Sequence, residues 1–375
     1  MNERLFIIFI ANTVNNYASR GWIFKHFNDS ISNKYDIKIF DCEPTEDKGK
    51  PLEIFVKKEK CNYKTIYLIS TNTDKHNDQI NWEIIKKYID KLIVFPVDAI
   101  SVLSKFKNTI LKEADLVWCP HIQKLEEIEN FKKPVIYLPY ASNFPKIITP
   151  FEKRSDSLFF QGNSHGLRKS LVGSLVNNTK INVVVQGNGW EVNEKDNNIK
   201  SNSIRESLNY YFGGNLKDIF NKLIKNSFSN KYLLRSVLNY PNRLIKERVI
   251  LKNNNLKVLN QNNQKNIDDF KYTLGINFLF SNQNYFSYRL RDFEAPSFGS
   301  CHFTQSDPNL EKIFLPNKSM IYYRDSNDLI ELINYYLVSS DGRKKSVEIA
   351  KNARKIAKKN TWISRLNKIK DFFEK

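Results

Sequence analysis

The stretch Ser287-Tyr-Arg-Leu-Arg-Asp-Phe-Glu-Ala-Pro-Ser-Phe-Gly-Ser300, followed by Cys301-His-Phe-Thr-Gln305, carries the pattern on which the fold prediction depends. It predicts a short helix that leads into a strand. Leu290, Phe293 and Phe298 recur at helical spacing, so the helix has an apolar face. Such a face is typical of a helix that packs on a sheet.

The two ends of this predicted helix carry signals of their own. Ser287 can cap the start, because a serine side chain accepts a hydrogen bond from an N–H of the first turn. Gly299 can end the helix, because glycine enters the left-handed conformation at little cost. Pro296 predicts a kink or an early end, because proline lacks the N–H that a helix interior needs.

Three of the charged side chains in this predicted helix are candidates for a binding site. Arg289 and Arg291 are expected in its first turn, where a helix N-terminus and two guanidiniums favour a phosphate or diphosphate. Glu294 follows Arg291 by three residues, so the two side chains share a neighbouring face. The alternative interpretation is a solvated surface ion pair, which stabilises a helix by only roughly 0.2–0.5 kcal/mol.

Apolar runs alternate with helical patterns through the rest of the chain. The predicted strands of the first half are 4–10, 36–41, 65–70, 91–95, 114–118 and 135–138. Those of the second half are 157–160, 181–185, 256–259, 274–280 and 300–304, with 266–273 predicted as a helix. Strand and helix in alternation build a parallel sheet covered on both faces. The predicted fold class is therefore α/β, with two Rossmann-like, doubly wound domains facing a cleft.

Composition shifts place the domain boundaries. Prolines and polar residues around 139–150 predict a linker, so we expect one domain at residues 1–142 and a second at 143–355. Residues 356–375 are predicted to form a terminal helix that packs back toward the first domain. Residues 191–255 break the alternation and are interpreted as a helical insertion with a basic face. Its alternative is a solvated helical excursion.

The net charge and the cysteine and histidine spacing indicate which partners and which structural frameworks this protein can have. Of 375 residues, 59 are Lys or Arg and 40 are Asp or Glu, and the formal net charge is +19. This charge favours an anionic partner, although an AT-rich genome also raises lysine content. The four cysteines and five histidines show no paired spacing, so neither a metal nor a disulfide framework is predicted. No run is long enough to span a membrane, and we expect a cytoplasmic protein.

Two glycine-containing loops follow predicted strands of the second domain. The loop Gln161-Gly-Asn-Ser-His-Gly166 precedes a helix that starts near Arg168, which is a general arrangement for holding an anion. The loop Gln186-Gly-Asn-Gly-Trp190 follows the next strand. Neither loop has the spacing of a dinucleotide fingerprint or of a P-loop.

The segment Leu290-Arg-Asp-Phe-Glu-Ala-Pro-Ser-Phe-Gly299 resembles the signature of group-1-type bacterial glycosyltransferases, especially the CgeB-like (spore-maturation-protein-type) branch. In that pattern an arginine stands three before a glutamate and a glycine five after it, as do Arg291, Glu294 and Gly299. Asp307-Pro-Asn-Leu310 and Thr361-Trp-Ile-Ser-Arg365 resemble later motifs of the family. The resemblance implies the GT-B architecture, with an acceptor domain first and a nucleotide-sugar domain second.

The resemblance also implies roles for individual residues. Glu294 is expected to accept hydrogen bonds from the donor ribose, since a carboxylate can take two hydroxyl protons. Arg291, Arg289 and Arg168 are expected to neutralise the diphosphate, without a metal or other cofactor. The other donor-binding candidates are Gly162, Gly187 and Gly299. The retaining branch has a second glutamate where this chain has Phe286, so the stereochemistry stays open.

An inverting transferase also needs a base for the acceptor hydroxyl. Asp98 is the candidate, because it follows a predicted strand directly; its alternative role is an ordinary helix cap. Lesser candidates are Asp74, His76 and His121. A polar first loop suits acceptor binding, with a solvated turn as the alternative, and its residues are Asn12, Thr13, Asn16 and Arg20.

The leading hypothesis is a glycosyltransferase that uses a nucleotide-sugar and a carbohydrate or lipid-linked glycan acceptor in bacterial surface polysaccharide synthesis. An anionic membrane surface is a further expected partner, through the basic insertion. A nucleic-acid-binding protein is a second hypothesis, and nucleic acid is the less favoured partner because the aromatic residues of the insertion recur at helical spacing. A catalytically inactive scaffold with the same fold is the third.

Overall fold

The computed structural model describes residues 2–11, 36–42, 49–70, 80–95, 109–121, 133–164, 168–187, 189–190, 254–259, 265–277 and 288–375. The predicted helical insertion falls almost entirely outside these residues, as does Ser287.

The first sheet is parallel throughout its described strands. Its order is β2-β1-β3-β4-β5-β6. The strands are β1 (Asn2–Ala11), β2 (Asp36–Cys42), β3 (Tyr63–Ser70), β4 (Lys91–Val94), β5 (Leu116–Cys119) and β6 (Val135–Tyr137). In β1, the side chains from Leu5 to Ile8 are all fully buried, so both faces of the strand are covered. This explains why the strand appears in the sequence as a continuous apolar run and not as an alternating one.

Three described helices accompany this sheet. They are α1 (Lys50–Lys60), α2 (Trp82–Ile85) and α3 (Thr109–Glu113). Leu52 and Val56 of α1 are buried on one face, whereas Lys57 and Lys58 are exposed. Gly49 precedes α1 with φ at 83°, in the left-handed region. These helices bury the apolar faces of the strands and form one core with them.

The second sheet is also parallel throughout its described strands. Its order is β12-β11-β10-β7-β8-β9. The strands are β7 (Ser155–Gln161), β8 (Val183–Gln186), β9 (Leu256–Leu259), β10 (Phe270–Leu274), β11 (Cys301–Gln305) and β12 (Ile321–Tyr323). Counted from β7, this is the 3-2-1-4-5-6 order of dinucleotide-binding sheets, in which the connection changes direction between β7 and β10.

The second half of the chain contains six more described helices. They are α4 (Arg168–Asn178), α5 (Arg291–Ser297), α6 (Pro308–Glu311), α7 (Ser326–Ile333), α8 (Ser340–Ala357) and α9 (Trp362–Glu374). A π-helical turn, Asn334–Val338, extends α7. Asp325 caps α7, since its side chain accepts the N–H groups of Asn327 and Asp328 at 2.9 and 3.0 Å.

The chain forms two compact units. Unit 1 comprises Met1–Lys146, Arg289–Ser297 and Arg354–Lys375. Unit 2 comprises Ile147–Tyr288 and Phe298–Ala353. The α/β class with two doubly wound parallel sheets is thereby confirmed.

One part of the strand assignment is wrong. The predicted helix 266–273 is a single 3-10 turn, Ile267–Asp269, followed by β10. Asn266 and Asp269 cap each other at that turn, and the chain then extends because Phe270 to Leu274 pair with neighbouring strands on both sides. The predicted strand 274–280 is correspondingly displaced, since β10 ends at Leu274 and residues 275–277 lie beyond it.

The last helix, α9, completes the core of unit 1. Trp362 is fully buried, and its ring meets those of Trp118 and Phe95 edge-on, with centroids 6.1 and 6.4 Å away. Arg365 donates from Nε to the carbonyl of Pro139 at 2.9 Å and from Nη2 to that of Tyr140 at 3.3 Å. These contacts join α9 to the segment that follows β6.

Removing the Trp362 ring should destabilise unit 1. Trp362→Ala is expected to lower the unfolding temperature by about 6–12 °C, because truncation of a buried tryptophan costs about 3–5 kcal/mol. Calorimetry measures this, with Phe372→Ala as the control at a partly exposed position of the same helix. A loss no larger than that of the control would contradict the packing role.

Candidate functional site

The helix that carries the signature residues is short, with a hydrogen-bonded turn before it and a left-handed glycine after it. α5 begins at Arg291, so the prediction that Arg289 lies in its first turn is wrong. Arg289 lies in the preceding turn because its N–H donates to the Asp292 carboxylate at 2.6 Å and its carbonyl accepts the Asp292 N–H at 3.0 Å. The helix ends one residue after Pro296, which confirms the early end. Gly299, with φ at 69°, confirms the left-handed turn.

Glu294 lies inside the protein and not on its surface. Only 3% of the residue is exposed, so the solvated ion pair is ruled out as a description of this site. Burial raises the pKa of Glu294 to about 8, and the nearby Arg291 guanidinium offsets only part of that rise. The carboxyl is therefore mostly protonated at neutral pH. A buried ionisable group with a strongly shifted pKa is typical of a functional site.

Near α5, unit 1 also contains a buried histidine. His121 follows β5, is 1% exposed, and meets the Tyr140 ring edge-on with centroids 5.4 Å apart. Burial, and to a smaller extent the positive charge of Arg289, lowers the pKa of His121 to about 3. The imidazole is thus neutral at working pH. With so low a pKa it would be a weak general base, which argues against His121 in that role.

The two glycine loops of unit 2 lock into each other at the carboxyl ends of β7 and β8. Gly162 donates its N–H to the Gln186 carbonyl at 2.7 Å, and its own carbonyl accepts the Trp190 indole N–H at 2.7 Å. Gly187 has φ at 146°, and a Cβ there would come within 2.4 Å of the Gly162 carbonyl oxygen. Any side chain at Gly187 would force these two loops apart.

Arg168 fixes the first of these loops from the start of α4. It is buried, donates from Nη1 to the Asn163 carbonyl at 2.8 Å, and lies 5.6 Å from the centre of the Phe160 ring. The structure therefore brings Arg168, Gly162 and Gly187 into one loop cluster of unit 2.

A second polar group in unit 2 was missed by the sequence analysis. The Asn277 N–H donates to Gln305 Oε1 at 2.7 Å, and Asn277 Nδ2 donates to Thr304 Oγ1 at 3.0 Å. All three residues are buried at the carboxyl ends of β10 and β11. Because the predicted strand was placed at 274–280, Asn277 fell in its middle. With the strand ending at Leu274, Asn277 is a polar residue three positions after a buried strand, in the loop where open α/β sheets bind ligands.

Several predicted residues lie outside the described part of the chain. They are the base candidate Asp98, the lesser candidates Asp74 and His76, the acceptor-loop residues Asn12, Thr13, Asn16 and Arg20, and Phe286. Their roles stay predictions. Across the described residues, no group of three or more His, Cys, Asp or Glu side chains is arranged to hold a metal ion. Nor does any helix within those ranges have the length and apolar character of a membrane span.

Comparison with solved structures defines the class of fold. The chain is similar to a glycosyltransferase from Rickettsia africae ESF-5, with 13% identity, a TM-score of 0.58, and coverage of 100% of this chain and 98% of that chain. It is similar to HepE from Anabaena in complex with UDP, with 11% identity, a TM-score of 0.56 and 99% coverage of both chains. Sucrose-phosphate synthase from Thermosynechococcus elongatus gives 10% identity, a TM-score of 0.55, and 100% and 98% coverage. The fold is therefore that of the GT-B glycosyltransferases, with two Rossmann-like units.

A known protein family matches the part of the chain that contains α5. Residues 249–371 match the family described as "Glycosyl transferase-like". No curated protein matches the chain. The family match and the fold together support glycosyl transfer as the class of reaction.

Replacing Glu294 by glutamine should stabilise the protein, and the gain should grow with pH. Burial raises the pKa of Glu294 from 4.5 to about 8, so between these values the folded protein keeps a proton that the unfolded chain releases. The stabilising contribution of this protonation is complete below about pH 4.5 and is lost as the pH rises toward 8. Glu294→Gln should match the wild type near pH 5 and unfold about 2 °C or more above it at pH 8.

Calorimetry from pH 5 to pH 9 measures this difference. Glu348→Gln, at an exposed position of α8, is the matched control. A stabilisation of Glu294→Gln that does not change with pH would show that Glu294 is not buried with a raised pKa.

Proposed function

We propose that the protein is a glycosyltransferase that moves a sugar from a nucleotide-sugar to a carbohydrate or lipid-linked glycan acceptor. The observation that carries the proposal is Glu294, a carboxyl buried beside Arg291 within the segment that matches the glycosyl transferase-like family. At neutral pH this burial costs stability, so a structural role alone accounts poorly for a glutamate here.

The donor is bound through its ribose and its diphosphate. Ionised Glu294 accepts hydrogen bonds from the two ribose hydroxyls. Arg291 and Arg289 supply positive charge in unit 1. Unit 2, taken by itself, contains the other predicted donor residues, which are Gly162 and Gly187 in the two interlocked loops, Arg168 at the adjoining helix start and Gly299 in the turn after α5. HepE, one of the similar structures, was solved with UDP and with UDP-glucose, so a UDP-sugar is the first donor to test.

The transfer step requires charge stabilisation and a base. The acceptor oxygen attacks the anomeric carbon, the bond from that carbon to the diphosphate oxygen breaks, and its electron pair leaves with the nucleoside diphosphate. Fixed guanidiniums stabilise the developing negative charge, so the proposal needs no metal cofactor. In an inverting transfer, Asp98 takes the proton of the acceptor hydroxyl. We assign neither an inverting nor a retaining outcome.

The acceptor side of the proposal rests on the sequence. The polar loop with Asn12, Thr13, Asn16 and Arg20 binds the acceptor, and the pathway is the synthesis of a bacterial surface polysaccharide. The CgeB-like branch of the family, a cytoplasmic location and contact with the inner face of the membrane belong to the same proposal.

Nucleotide binding should depend on Glu294 and release a proton. Among UDP, GDP, ADP and dTDP, at least one should bind, and Glu294→Gln should weaken that binding about tenfold or more, because hydrogen bonds to charged groups contribute about 1.5–3 kcal/mol. Since Glu294 is mostly protonated when the site is empty and ionised when the ribose is bound, binding at pH 7 should release a proton in the wild type and not in Glu294→Gln.

Isothermal titration calorimetry in two buffers of different ionisation enthalpy measures both effects, with Glu348→Gln as the control. If none of the four nucleotides binds, or if Glu294→Gln binds as the wild type does, the proposed donor site is wrong.

The base has its own prediction. Asp98→Asn should reduce sugar transfer by about 100-fold or more while nucleotide affinity stays within twofold of the wild type, because general-base catalysis contributes about 10²–10⁴-fold. Turnover is measured as release of the nucleoside diphosphate from a panel of UDP-sugars with glycan acceptors. Near-normal turnover by Asp98→Asn would exclude it as the base, and the titration above would still test the donor site separately.

A further inference from the structure

Two arginines bind consecutive carbonyls at the end of α5. A guanidinium N–H of Arg354, from α8, donates to the carbonyl of Ser297, the last residue of the helix. Arg154 Nη2 donates to the carbonyl of the next residue, Phe298, at 2.8 Å. The last carbonyls of a helix have no partner within it, and cations are favoured at that end.

The same two arginines also bind the linker after β6. Arg354 Nη2 donates to the Pro145 carbonyl at 2.6 Å, and its guanidinium lies 4.2 Å from the centre of the Phe144 ring. Arg154 donates from Nε and Nη2 to the Thr149 carbonyl at 2.9 and 2.6 Å. Within unit 1, Arg354 therefore holds the linker and the last residue of α5. Within unit 2, Arg154 holds Thr149 and Phe298.

These four carbonyls lie where the chain passes from one unit to the other. The linker enters unit 2 after Lys146, and the chain re-enters unit 2 after Ser297. Within unit 1, Arg354 binds Pro145 and Ser297, which lie just before the two points where the chain passes into unit 2. Within unit 2, Arg154 binds Thr149 and Phe298, which lie just after those points. An ion pair with Asp268 at 3.0 Å fixes the Arg154 guanidinium.

We propose that Arg354 is a positioning residue that sets the placement of α5, and with it Glu294 and Arg291. α5 has seven residues and contains Pro296, so its own hydrogen bonds fix its direction poorly. A guanidinium can hold two carbonyls at once because its N–H groups form a rigid planar fork, whereas a lysine ammonium lacks this geometry. The inference rests on the proposed function, since it assigns Glu294 to donor binding.

A double-mutant cycle between Arg354 and Glu294 tests the inference. Arg354→Gln should weaken binding of whichever of UDP, GDP, ADP and dTDP binds the wild type, by about tenfold. In a Glu294→Gln background the same change should cost less than twofold, because the residue that Arg354 places is already altered. An effect on folding alone would give the same loss in both backgrounds.

A conservative variant and a neighbouring lysine complete the experiment. Arg354→Lys keeps the charge and loses the fork, so it should weaken binding by an intermediate amount. It also takes the place of Arg354→Gln in the cycle if that variant does not fold. Lys355→Gln, at the exposed position next to Arg354, should bind as the wild type does.

The outcomes separate the two proposals. If Glu294→Gln weakens binding and the arginine variants do not, or if their effects are additive with Glu294→Gln, the positioning role is wrong and the donor site stands. If Glu294→Gln itself has no effect, the donor site is wrong and the positioning inference fails with it.

Discussion

Parallel strand pairing is the constraint on which the rest of this molecule depends. Two parallel neighbours cannot be joined by a tight turn, so a crossover covers a face of the sheet between one strand and the next. All strands of a sheet then end at one edge, and the loops at their carboxyl ends collect there. The interlocked loops at Gly162 and Gly187, and the amide group around Asn277, lie at this edge of the second sheet for that reason. Neither cluster is local in sequence, yet the topology of the sheet brings its members together.

Burial acts in opposite directions on two titratable groups of unit 1. It raises the pKa of Glu294 and lowers that of His121, because in both cases the charged form loses its hydration. Glu294 and His121 are therefore both mostly neutral at pH 7.

The sequence predicts most strands of both sheets, because a buried parallel strand is a continuous apolar run bounded by polar loops. It fails at residues 266–277, where the β-favouring run Phe270-Lys-Tyr-Thr-Leu274 is predicted as part of a helix and forms a strand instead. The pair Arg291 and Glu294 is visible in the sequence, but its burial is not, since burial depends on what packs over the helix. Arg354 and Arg154 carry no sequence signal at all, because their partners Pro145 and Phe298 are 209 and 144 residues away.

The packing of α9 has a consequence for the order in which the chain folds. Trp362 fills the core beside Phe95 and Trp118, so the first sheet cannot bury these aromatic rings until residues far along the chain have been synthesised. The second unit lies between them in sequence and can fold in the meantime. The unit that begins first is therefore completed last. During that interval the rings of Phe95 and Trp118 have each other to pack against but not yet Trp362.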